Sequence, residues 1–334
     1  MRDTDQVIAV IGAGRMGNGI AQVFAYAGYR VHLVDVKDRS PEEGDRVLAD
    51  SSDQIERNLQ ALATFGVLEH SEIPPIKQRI RYFCSSQFEE ALQSALVVFE
   101  AVPEVLEAKE KVFGRISEVV SPEAILASTT STFLVGTLAG YVKRPERFLN
   151  THWLNPAYLI PLVEVSPSEV TSTDTLQGMM KLLEAVGKIP VQCAASPGFI
   201  VPRIQALAMN EAARMAEEGV ASPEDIDKAC RVGFGLRFAI LGLLEFIDWG
   251  GGDILYYASH YLEDSLQSDR FAPPRVISEN MEKGHIGIKS GQGFYDYSQT
   301  DISAYQQETI KKFVDLLSHL GLLAQPHKGI RNEV

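Results

Sequence analysis

His152 and Glu164 have the residue types and the spacing of an acid–base pair. His152 ends one predicted strand, and Glu164 lies within Leu162–Val165, an otherwise apolar strand that follows it. A carboxylate in such a strand is costly unless it has a partner, and the histidine can be that partner. A carboxylate that faces one imidazole nitrogen fixes the tautomer and makes the other nitrogen more basic. The pair is therefore a candidate base for oxidising an alcohol, and a purely structural His–Glu pair is the alternative.

A second set of residues predicts a dinucleotide site. The segment Gly12–Gly17 matches the pattern G-x-G-x-x-G, directly follows the apolar strand Val7–Ile11 and opens a helix. Gly12 permits a tight turn, Gly14 lets the backbone approach a pyrophosphate, and Gly17 lets the helix pack on the strand. The phosphates would lie at the positive end of that helix. The predicted cofactor contacts in this turn are Gly12, Gly14, Arg15, Met16 and Gly17.

Asp35, at the end of the next predicted strand, specifies which dinucleotide is expected. Its carboxylate would accept hydrogen bonds from the adenosine ribose and would repel a 2′-phosphate, which favours NAD over NADP. Lys37 is close enough in sequence to soften that preference slightly. A glycine-rich turn that binds no ligand is the alternative reading of the whole segment.

Two further groups of polar residues follow predicted strands. Glu100–Glu104 lies at the end of the strand Leu96–Ala101, and Ser128–Thr132 follows the strand Ile125–Ser128. Ligands of open α/β sheets bind at the carboxyl ends of the strands, so the hydroxyl cluster can hold a substrate oxygen. The alternative is a Ser/Thr turn that caps a helix at Val135–Ala139.

These residues require a particular fold to bring them together. Short β-rich runs alternate with helices as far as residue 195, which predicts an α/β protein with an N-terminal Rossmann-type doubly wound sheet. Beyond Pro197–Gly198 the pattern is helical, with a helix at Phe199–Glu218 and a capped start at Ser222–Glu224. We predict an NAD-binding domain at 1–195, an all-helical C-terminal domain at 196–324 and a frayed tail at 325–334. The remaining predicted strands are Arg30–Val36, Ile80–Phe83, Phe148–His152 and Leu162–Val165.

Composition excludes several classes of function. The 334 residues suit two domains, and the formal net charge of −13 argues against nucleic acid and against anionic membrane surfaces as partners. No apolar run approaches the ~20 residues that span a bilayer, and no signal peptide fits the N-terminus, so a cytoplasmic protein is expected. No metal-ligand spacing occurs, so no metal is expected. The three cysteines lack any Cys-x-x-Cys pair and are expected to be buried free thiols.

A set of motifs spread over most of the chain identifies a family. The motifs are Gly12–Gly17 with Asp35, Glu100–Glu104 with Lys109, Ala127–Ser131, His152–Pro156, Leu162–Glu164, Pro197–Ile200 and Gly291–Tyr297. With them the chain resembles the 3-hydroxyacyl-CoA dehydrogenase family from Val7 to Tyr297. The resemblance implies a Rossmann domain, a helical C-terminal domain that forms a homodimer, and a catalytic His–Glu pair. It also implies that Ser131 contacts the substrate oxygen, that Asn155 braces the site, and that Glu104 and Lys109 lie near the nicotinamide ribose.

Departures from the family change the expected substrate. The stretch 58–67 contains no lysine, whereas CoA-using members carry lysines there that meet CoA phosphates. The segment Gly235–Ala239 is similar to the free-acid branch, gulonate 3-dehydrogenase and carnitine 3-dehydrogenase. We therefore expect a small free 3-hydroxy acid, with Arg237 pairing its carboxylate, or alternatively holding an interdomain ion pair. Pro202 stands where most of the family has an asparagine. Trp153 is predicted to line the substrate pocket, with a place in the core as its alternative.

Three rival functions follow from the same residues. The first is oxidation of a short-chain 3-hydroxyacyl-CoA such as 3-hydroxybutyryl-CoA. The second is a hydroxyisobutyrate-type dehydrogenase, which has a similar glycine turn but a lysine base in a glycine-rich motif that this chain lacks. The third, from another class, is a non-catalytic crystallin-like protein that binds NAD. The intact pair of His152 and Glu164 argues against that last reading.

Overall fold

The computed structural model describes residues 6–324, and the predicted tail at 325–334 lies outside them. The chain forms two compact units that divide between Met209 and Asn210, inside a helix. The predicted boundary between residues 195 and 196 stays a prediction.

The first unit is built on one eight-stranded sheet. Its strand order is β3-β2-β1-β4-β5-β6-β7-β8, and all neighbouring pairs are parallel except the antiparallel pair of β6 and β7. The order reverses between β1 and β4, which confirms the predicted doubly wound sheet and opens a crevice at that point. The strands are β1 (Val7–Ile11), β2 (Arg30–Val34), β3 (Ile80–Phe83), β4 (Ala95–Glu100), β5 (Ile125–Ser128), β6 (Phe148–Trp153), β7 (Leu162–Pro167) and β8 (Ile189–Gln192).

Helices cover both faces of this sheet. The helix that begins at Pro41 is capped by Ser40, whose side chain accepts a hydrogen bond from Glu43 N. Short 3-10 turns occur at His70–Glu72, Ser85–Gln87 and Pro145–Arg147. The helices are α1 (Arg15–Tyr26), α2 (Pro41–Thr64), α3 (Ile73–Gln78), α4 (Phe88–Leu92), α5 (Leu106–Val119), α6 (Val135–Ala139), α7 (Thr173–Ala185) and α8 (Val201–Glu217), which continues into the second unit.

The core of the first unit lies on both sides of the sheet. Central parallel strands are buried on both faces, so β1 is apolar and buried at all five positions. On one face the rings of Phe24 and Phe99 lie 5.2 Å apart, and Trp153 lies 5.9 Å from Phe99. On the other face Phe113 meets Phe148 edge to face at 5.2 Å. The two hydrophobic layers make the carboxyl ends of the strands a rigid platform.

The second unit is helical, as predicted. Asp248 is 2% exposed and accepts hydrogen bonds from Phe294 N and Tyr295 N, both at 2.9 Å, which anchors the segment 291–297. A π-helix at Cys230–Gly235 and 3-10 turns at Asp269–Phe271 and Ile288–Ser290 complete the unit. Its α-helices are α9 (Pro223–Ala229), α10 (Leu236–Ile240), α11 (Leu243–Gly250), α12 (Gly252–Leu266), α13 (Arg275–Glu282) and α14 (Ile302–His319).

The cysteines are free, as predicted, but the prediction that they are buried is wrong. Cys230 is exposed, and Cys84 and Cys193 are partly exposed, because they lie in a loop after β3 and just after the edge strand β8. None of the helices described between residues 6 and 324 is long and apolar enough to cross a membrane.

Candidate active site

The glycine turn between β1 and α1 has the shape that a dinucleotide requires. A Cβ on Gly12, which has φ of 119°, would lie 2.5 Å from Ala101 O, and a Cβ on Gly17 would lie 1.8 Å from Gly12 O. A Cβ on Gly14 would meet no atom within 4 Å, so the space beside this residue is open to a ligand. The first turn of α1 has neither a side-chain cap nor an acidic residue, which leaves its N–H groups free for phosphate. The residues present therefore fit a pyrophosphate.

Asp35 lies one residue beyond β2 and is 6% exposed. Its Oδ2 lies 2.6 Å from Arg39 Nε, and its Oδ1 accepts a long 3.5 Å hydrogen bond from the backbone N–H of Lys37. The cation that pairs with Asp35 is therefore Arg39, which the sequence analysis did not consider. The spacing of four residues was no signal for this pair, because it brings side chains together only in a helix and residues 35–39 form none.

A buried ion pair connects the end of β4 to helix α5. Lys109, 1% exposed, donates to both carboxylate oxygens of Glu100 at 2.9 and 3.0 Å, and Glu100 is fully buried. Ser128 Oγ and Val102 N also donate to Glu100, at 2.6 and 2.9 Å. A buried carboxylate with this many donors is satisfied, so the pair can hold Lys109 rigidly. Lys109 and Glu104 are predicted site residues, whereas the role of Glu100 as the partner of Lys109 is seen only in the structure.

Glu104 links this pair to the hydroxyl cluster. Lys109 Nζ lies 3.3 Å from Glu104 Oε2, while Glu104 Oε1 accepts from Thr130 Oγ1, from Thr132 Oγ1 at 2.6 Å and from Ser131 N at 3.2 Å. Burial alone would raise the pKa of Glu104, but the Thr130 and Thr132 hydroxyls and the Lys109 ammonium hold this pKa below its usual value. Glu104 is therefore anionic at neutral pH.

The hydroxyl cluster does not cap helix α6. The residue before α6 is Leu134, whose side chain makes no capping bond, and Thr130 Oγ1 instead accepts from Phe133 N at 2.9 Å. The alternative of a simple capping turn is wrong because the hydroxyls of Thr130 and Thr132 bond to Glu104 and to the backbone of the same turn. Ser131 is exposed at its tip, and within the described chain its hydroxyl makes no hydrogen bond.

His152 and Glu164 face each other across the antiparallel pair of β6 and β7. His152 Nδ1 lies 2.7 Å from Glu164 Oε2, with 4% of His152 and none of Glu164 exposed. Glu164 Oε1 accepts two more hydrogen bonds, from Ile200 N at 2.8 Å and Val201 N at 2.9 Å. These three donors stabilise the charged carboxylate, and a carboxylate that accepts from Nδ1–H leaves the lone pair on Nε2.

The turn before α8 supplies the two backbone donors. Gly198 has φ of 78° and Phe199 has φ of 46°, a left-handed conformation that is unfavourable for a side-chain residue. This conformation points Ile200 N and Val201 N at Glu164, and it lays the Phe199 ring 4.8 Å from the imidazole of His152 at an angle of 15°. The motif Pro197–Ile200 therefore positions Glu164 and His152, a role that is not predicted from the sequence.

Trp153 and Asn155 follow His152 in the chain but differ in burial. Trp153 is 2% exposed and packs among core rings, which argues for the core alternative and against contact with substrate. Asn155 is exposed in the connection from β6 to β7. Lys188 holds that connection from behind by donating to Ala157 O at 2.5 Å and Ile160 O at 2.8 Å.

Asn155 lines a cavity of about 570 Å³ between α1, α2 and this connection. The cavity wall includes Arg15 and Arg57, together with Asn58, so cations are present although the stretch 58–67 has no lysine. Pro202 lies in the first turn of α8, where proline is tolerated.

Arg237 belongs to the second unit, in α10. Its guanidinium carbon lies 5.7 Å from the centre of the Phe246 ring. Between residues 6 and 324 there is no group of three His, Cys, Asp or Glu side chains that could hold a metal ion.

Comparisons with known proteins match most of the chain. A family model for the NAD binding domain of 3-hydroxyacyl-CoA dehydrogenase matches residues 7–196, and a model for the C-terminal domain of the same family matches residues 198–297. The chain is 34% identical over 292 residues to a probable 3-hydroxybutyryl-CoA dehydrogenase of Bacillus subtilis, which covers 87% of this chain and 97% of that protein.

Two further relatives, one of them a solved structure, also match most of the chain. A 5-formyl-3-hydroxy-2-methylpyridine 4-carboxylate 5-dehydrogenase of Mesorhizobium japonicum is 30% identical over 308 residues, 92% of this chain and 96% of its own length. A crystal structure of a 3-hydroxyacyl-CoA dehydrogenase from Archaeoglobus fulgidus is similar with a TM-score of 0.76 and 31% identity, over 95% of this chain and 100% of that one.

Proposed function

The chain belongs to the 3-hydroxyacyl-CoA dehydrogenase family, and we propose that it oxidises a small free 3-hydroxy acid to the 3-oxo acid with His152 as the base. It is an oxidoreductase that acts on a CH–OH group with NAD as cofactor. The observation that carries the proposal is the 2.7 Å hydrogen bond between His152 Nδ1 and the fully buried Glu164.

In this pair the imidazole of His152 accepts the proton and Glu164 stays a carboxylate. His152 Nε2 takes the hydroxyl proton, and the imidazole becomes an imidazolium whose Nδ1–H remains bonded to Glu164. The charge grows next to a carboxylate that Ile200 N and Val201 N already hold in place, so no reorganisation is needed. Bound NAD supplies the acceptor for the hydride that leaves the carbinol carbon.

The other predicted site residues are assigned positioning and binding roles. Ser131, exposed with its backbone tied to Glu104, would donate to the substrate oxygen as it becomes a carbonyl. Glu104 and Lys109 would lie near the nicotinamide ribose, where the buried Lys109, held by Glu100, would position the Glu104 carboxylate. Asn155 would brace the site from the connection after β6, and Arg237 stays the proposed carboxylate ligand on its sequence pattern.

Two observations support a free acid. Helix α2 carries no lysine from Asn58 to its end, where a CoA phosphate would need a cationic partner. The relative from Mesorhizobium japonicum is named for a substrate that is a carboxylate without CoA.

A short-chain 3-hydroxyacyl-CoA is the second candidate. It is favoured by Arg15 and Arg57, which line the cavity beside α2, and by the names of the other relatives. Turnover of 3-hydroxybutyryl-CoA compared with a panel of free 3-hydroxy acids, followed as NADH formation, separates the two. We expect kcat/KM to be at least about tenfold higher for a free acid than for the CoA ester. This ratio corresponds to about 1.4 kcal/mol of transition-state binding. Faster turnover of the CoA ester would favour the second candidate, and no NADH with any substrate would favour a non-catalytic protein.

Variants test the residues on the best substrate of that panel. His152→Gln is expected to bind NAD normally and to lose at least about a hundredfold in kcat. His70→Gln, which changes an exposed histidine outside the site, is the matched control. A His152→Gln enzyme within threefold of the wild type would exclude His152 as the base.

Arg237 is tested separately through KM. Arg237→Lys and Arg237→Ala are both expected to raise KM for the free acid, because a guanidinium binds a carboxylate through two parallel hydrogen bonds and an ammonium does not. An unchanged KM in both variants would exclude the carboxylate role.

A homodimer formed through the C-terminal unit and a cytoplasmic location complete the proposal, and both rest on the family resemblance and on the sequence. Light scattering on the purified protein measures the first, and fractionation of the source cells the second. A monomeric mass that persists at high protein concentration would contradict the dimer.

A further inference from the structure

A second cavity lies beyond Asp35, at the adenosine end of the predicted cofactor site. Its volume is about 430 Å³, and it is bounded by the segment that follows β2, by the loop after β3 and by Arg115 of α5. Three cationic side chains line it, Lys37, Arg39 and Arg115, and three acidic ones, Asp35, Asp38 and Asp45. The wall is therefore electrically balanced, whereas Asp35 alone would make it anionic.

The ion pair of Asp35 and Arg39 changes what Asp35 can do. A carboxylate at this place selects NAD because it repels a phosphate on the ribose 2′-oxygen. Here the Asp35 charge is compensated by Arg39 at 2.6 Å, and only 8% of the Asp35 side chain is exposed. A compensated carboxylate still accepts hydrogen bonds from a ribose, but its repulsion of a nearby phosphate is reduced.

Arg39 also has hydrogen-bond donors that the ion pair does not use. The ion pair uses Nε, and among the described residues neither terminal NH₂ group of Arg39 has another acceptor. The side chain is 28% exposed, so these groups are reachable from solvent. A guanidinium with two free NH₂ groups binds a phosphate in a forked geometry.

The other charged side chains of the cavity wall leave room for a bound phosphate. Arg115 is held over the Phe88 ring at 4.3 Å, and Lys37 makes no ion pair within the described residues. Asp38 accepts a 2.8 Å hydrogen bond from Ser85 Oγ, which ties one acidic side chain to the cavity wall. Lys37 and Arg39 follow β2 by three and five residues and line the same cavity as Asp35, so they are the cations that would lie near a phosphate on the ribose.

We propose that this cavity, with Arg39 as the principal ligand, binds the 2′-phosphate of NADP, so that the protein accepts NADP as well as NAD. The NAD preference predicted from Asp35 is thereby weakened, because Arg39 both compensates Asp35 and supplies the phosphate contact. This selectivity concerns the adenosine end of the dinucleotide and is independent of which hydroxy acid is oxidised.

Calorimetric titration of the purified wild-type protein with NAD and with NADP tests the proposal without any substrate. NADP is expected to bind no more than about a hundredfold more weakly than NAD, a difference of about 2.7 kcal/mol. A larger difference would overturn the proposal. Since no turnover is measured, this result is distinguishable from failure of the proposed reaction.

Arg39→Met keeps much of the side-chain length and removes the charge. It is expected to weaken NADP at least about tenfold more than NAD, a difference of about 1.4 kcal/mol, because NAD has no phosphate for Arg39 to bind. Arg46→Met, on the exposed surface of α2 and outside the cavity, is the matched control and should change neither. A selective loss of less than tenfold, or an equal loss for both dinucleotides, would overturn the role of Arg39. Thermal unfolding of each variant checks that the fold is retained.

Discussion

Replacing Glu164 by glutamine tests the acid–base pair without changing its shape. In the protein, Glu164 Oε1 accepts from Ile200 N and Val201 N, while Oε2 faces His152 Nδ1. The two backbone donors therefore force the glutamine oxygen into the Oε1 position and its NH₂ group toward the imidazole. A donor at that point makes Nδ1 the acceptor, so the imidazole proton moves to Nε2, where the base must be empty.

The size of the effect follows from the same geometry. The carboxylate and a newly formed imidazolium, about 4 Å apart between charge centres, attract each other by about 4 kcal/mol at an effective dielectric constant of about 20. Loss of that attraction corresponds to about a thousandfold in rate. The wrong tautomer adds to this loss, so kcat should fall by about a thousandfold or more.

The assay is steady-state NADH formation with the best hydroxy substrate, together with NAD titration and thermal unfolding. We expect NAD affinity and Tm to be close to those of the wild type, because the amide keeps both backbone hydrogen bonds. Glu169→Gln makes the same chemical change at an exposed position just after β7 and should be neutral. A Glu164→Gln enzyme that retains more than a tenth of wild-type kcat would refute this reasoning.

Three further predictions concern the turn, a buried amine and the hydroxyl cluster. Gly14→Ala should fold normally but weaken NAD binding at least about tenfold, because its methyl group enters the space open to a ligand. Gly17→Ala should instead lower the free energy of unfolding by about 3 kcal/mol or more, because its methyl group would clash with Gly12 O. Burial lowers the pKa of Lys188 from 10.5 to about 8. Between these values the unfolded chain holds a proton that the folded chain lacks, so stability relative to Lys188→Met should rise with pH in urea denaturation. Ser131→Ala should lower kcat about a hundredfold at unchanged Tm.

Each of these expectations has a clear contrary result. Equal NAD affinity in Gly14→Ala and the wild type would mean that the pyrophosphate does not approach this residue. A stability difference between wild type and Lys188→Met that stays constant from pH 8 to 10.5 would contradict a lowered pKa. A Ser131→Ala enzyme with normal kcat would remove the hydroxyl from the mechanism.

Much of the first unit is predictable from the sequence because its signals are local. The strands Val7–Ile11, Ile80–Phe83 and Ile125–Ser128 have the bounds that the sequence predicts. Strand β8 was missed because Ile189–Gln192 is short, largely exposed and contains Pro190, which an edge strand tolerates but a central one does not. Edge position is a property of the assembled sheet, so no local pattern reveals it.

The site was predictable where a residue's chemistry demanded a partner. A lone carboxylate in an apolar strand indicated the contact between Glu164 and His152. The backbone donors from Ile200 and Val201 could not be predicted, since they depend on the left-handed conformation of Phe199, which sequence does not favour at a phenylalanine. The pairing of Lys109 with Glu100 likewise depends on how α5 packs on β4.

The antiparallel step from β6 to β7 has a consequence for divergence within the family. The ladder of backbone hydrogen bonds sets the register that puts His152 opposite Glu164, and the connection between the two strands takes no part in that ladder. Residues of this connection, Asn155 and Tyr158 among them, line the 570 Å³ cavity. Mutations there can therefore accumulate and reshape what is recognised while the proton-transfer chemistry is inherited intact, so descendants can change substrate without reinventing the base.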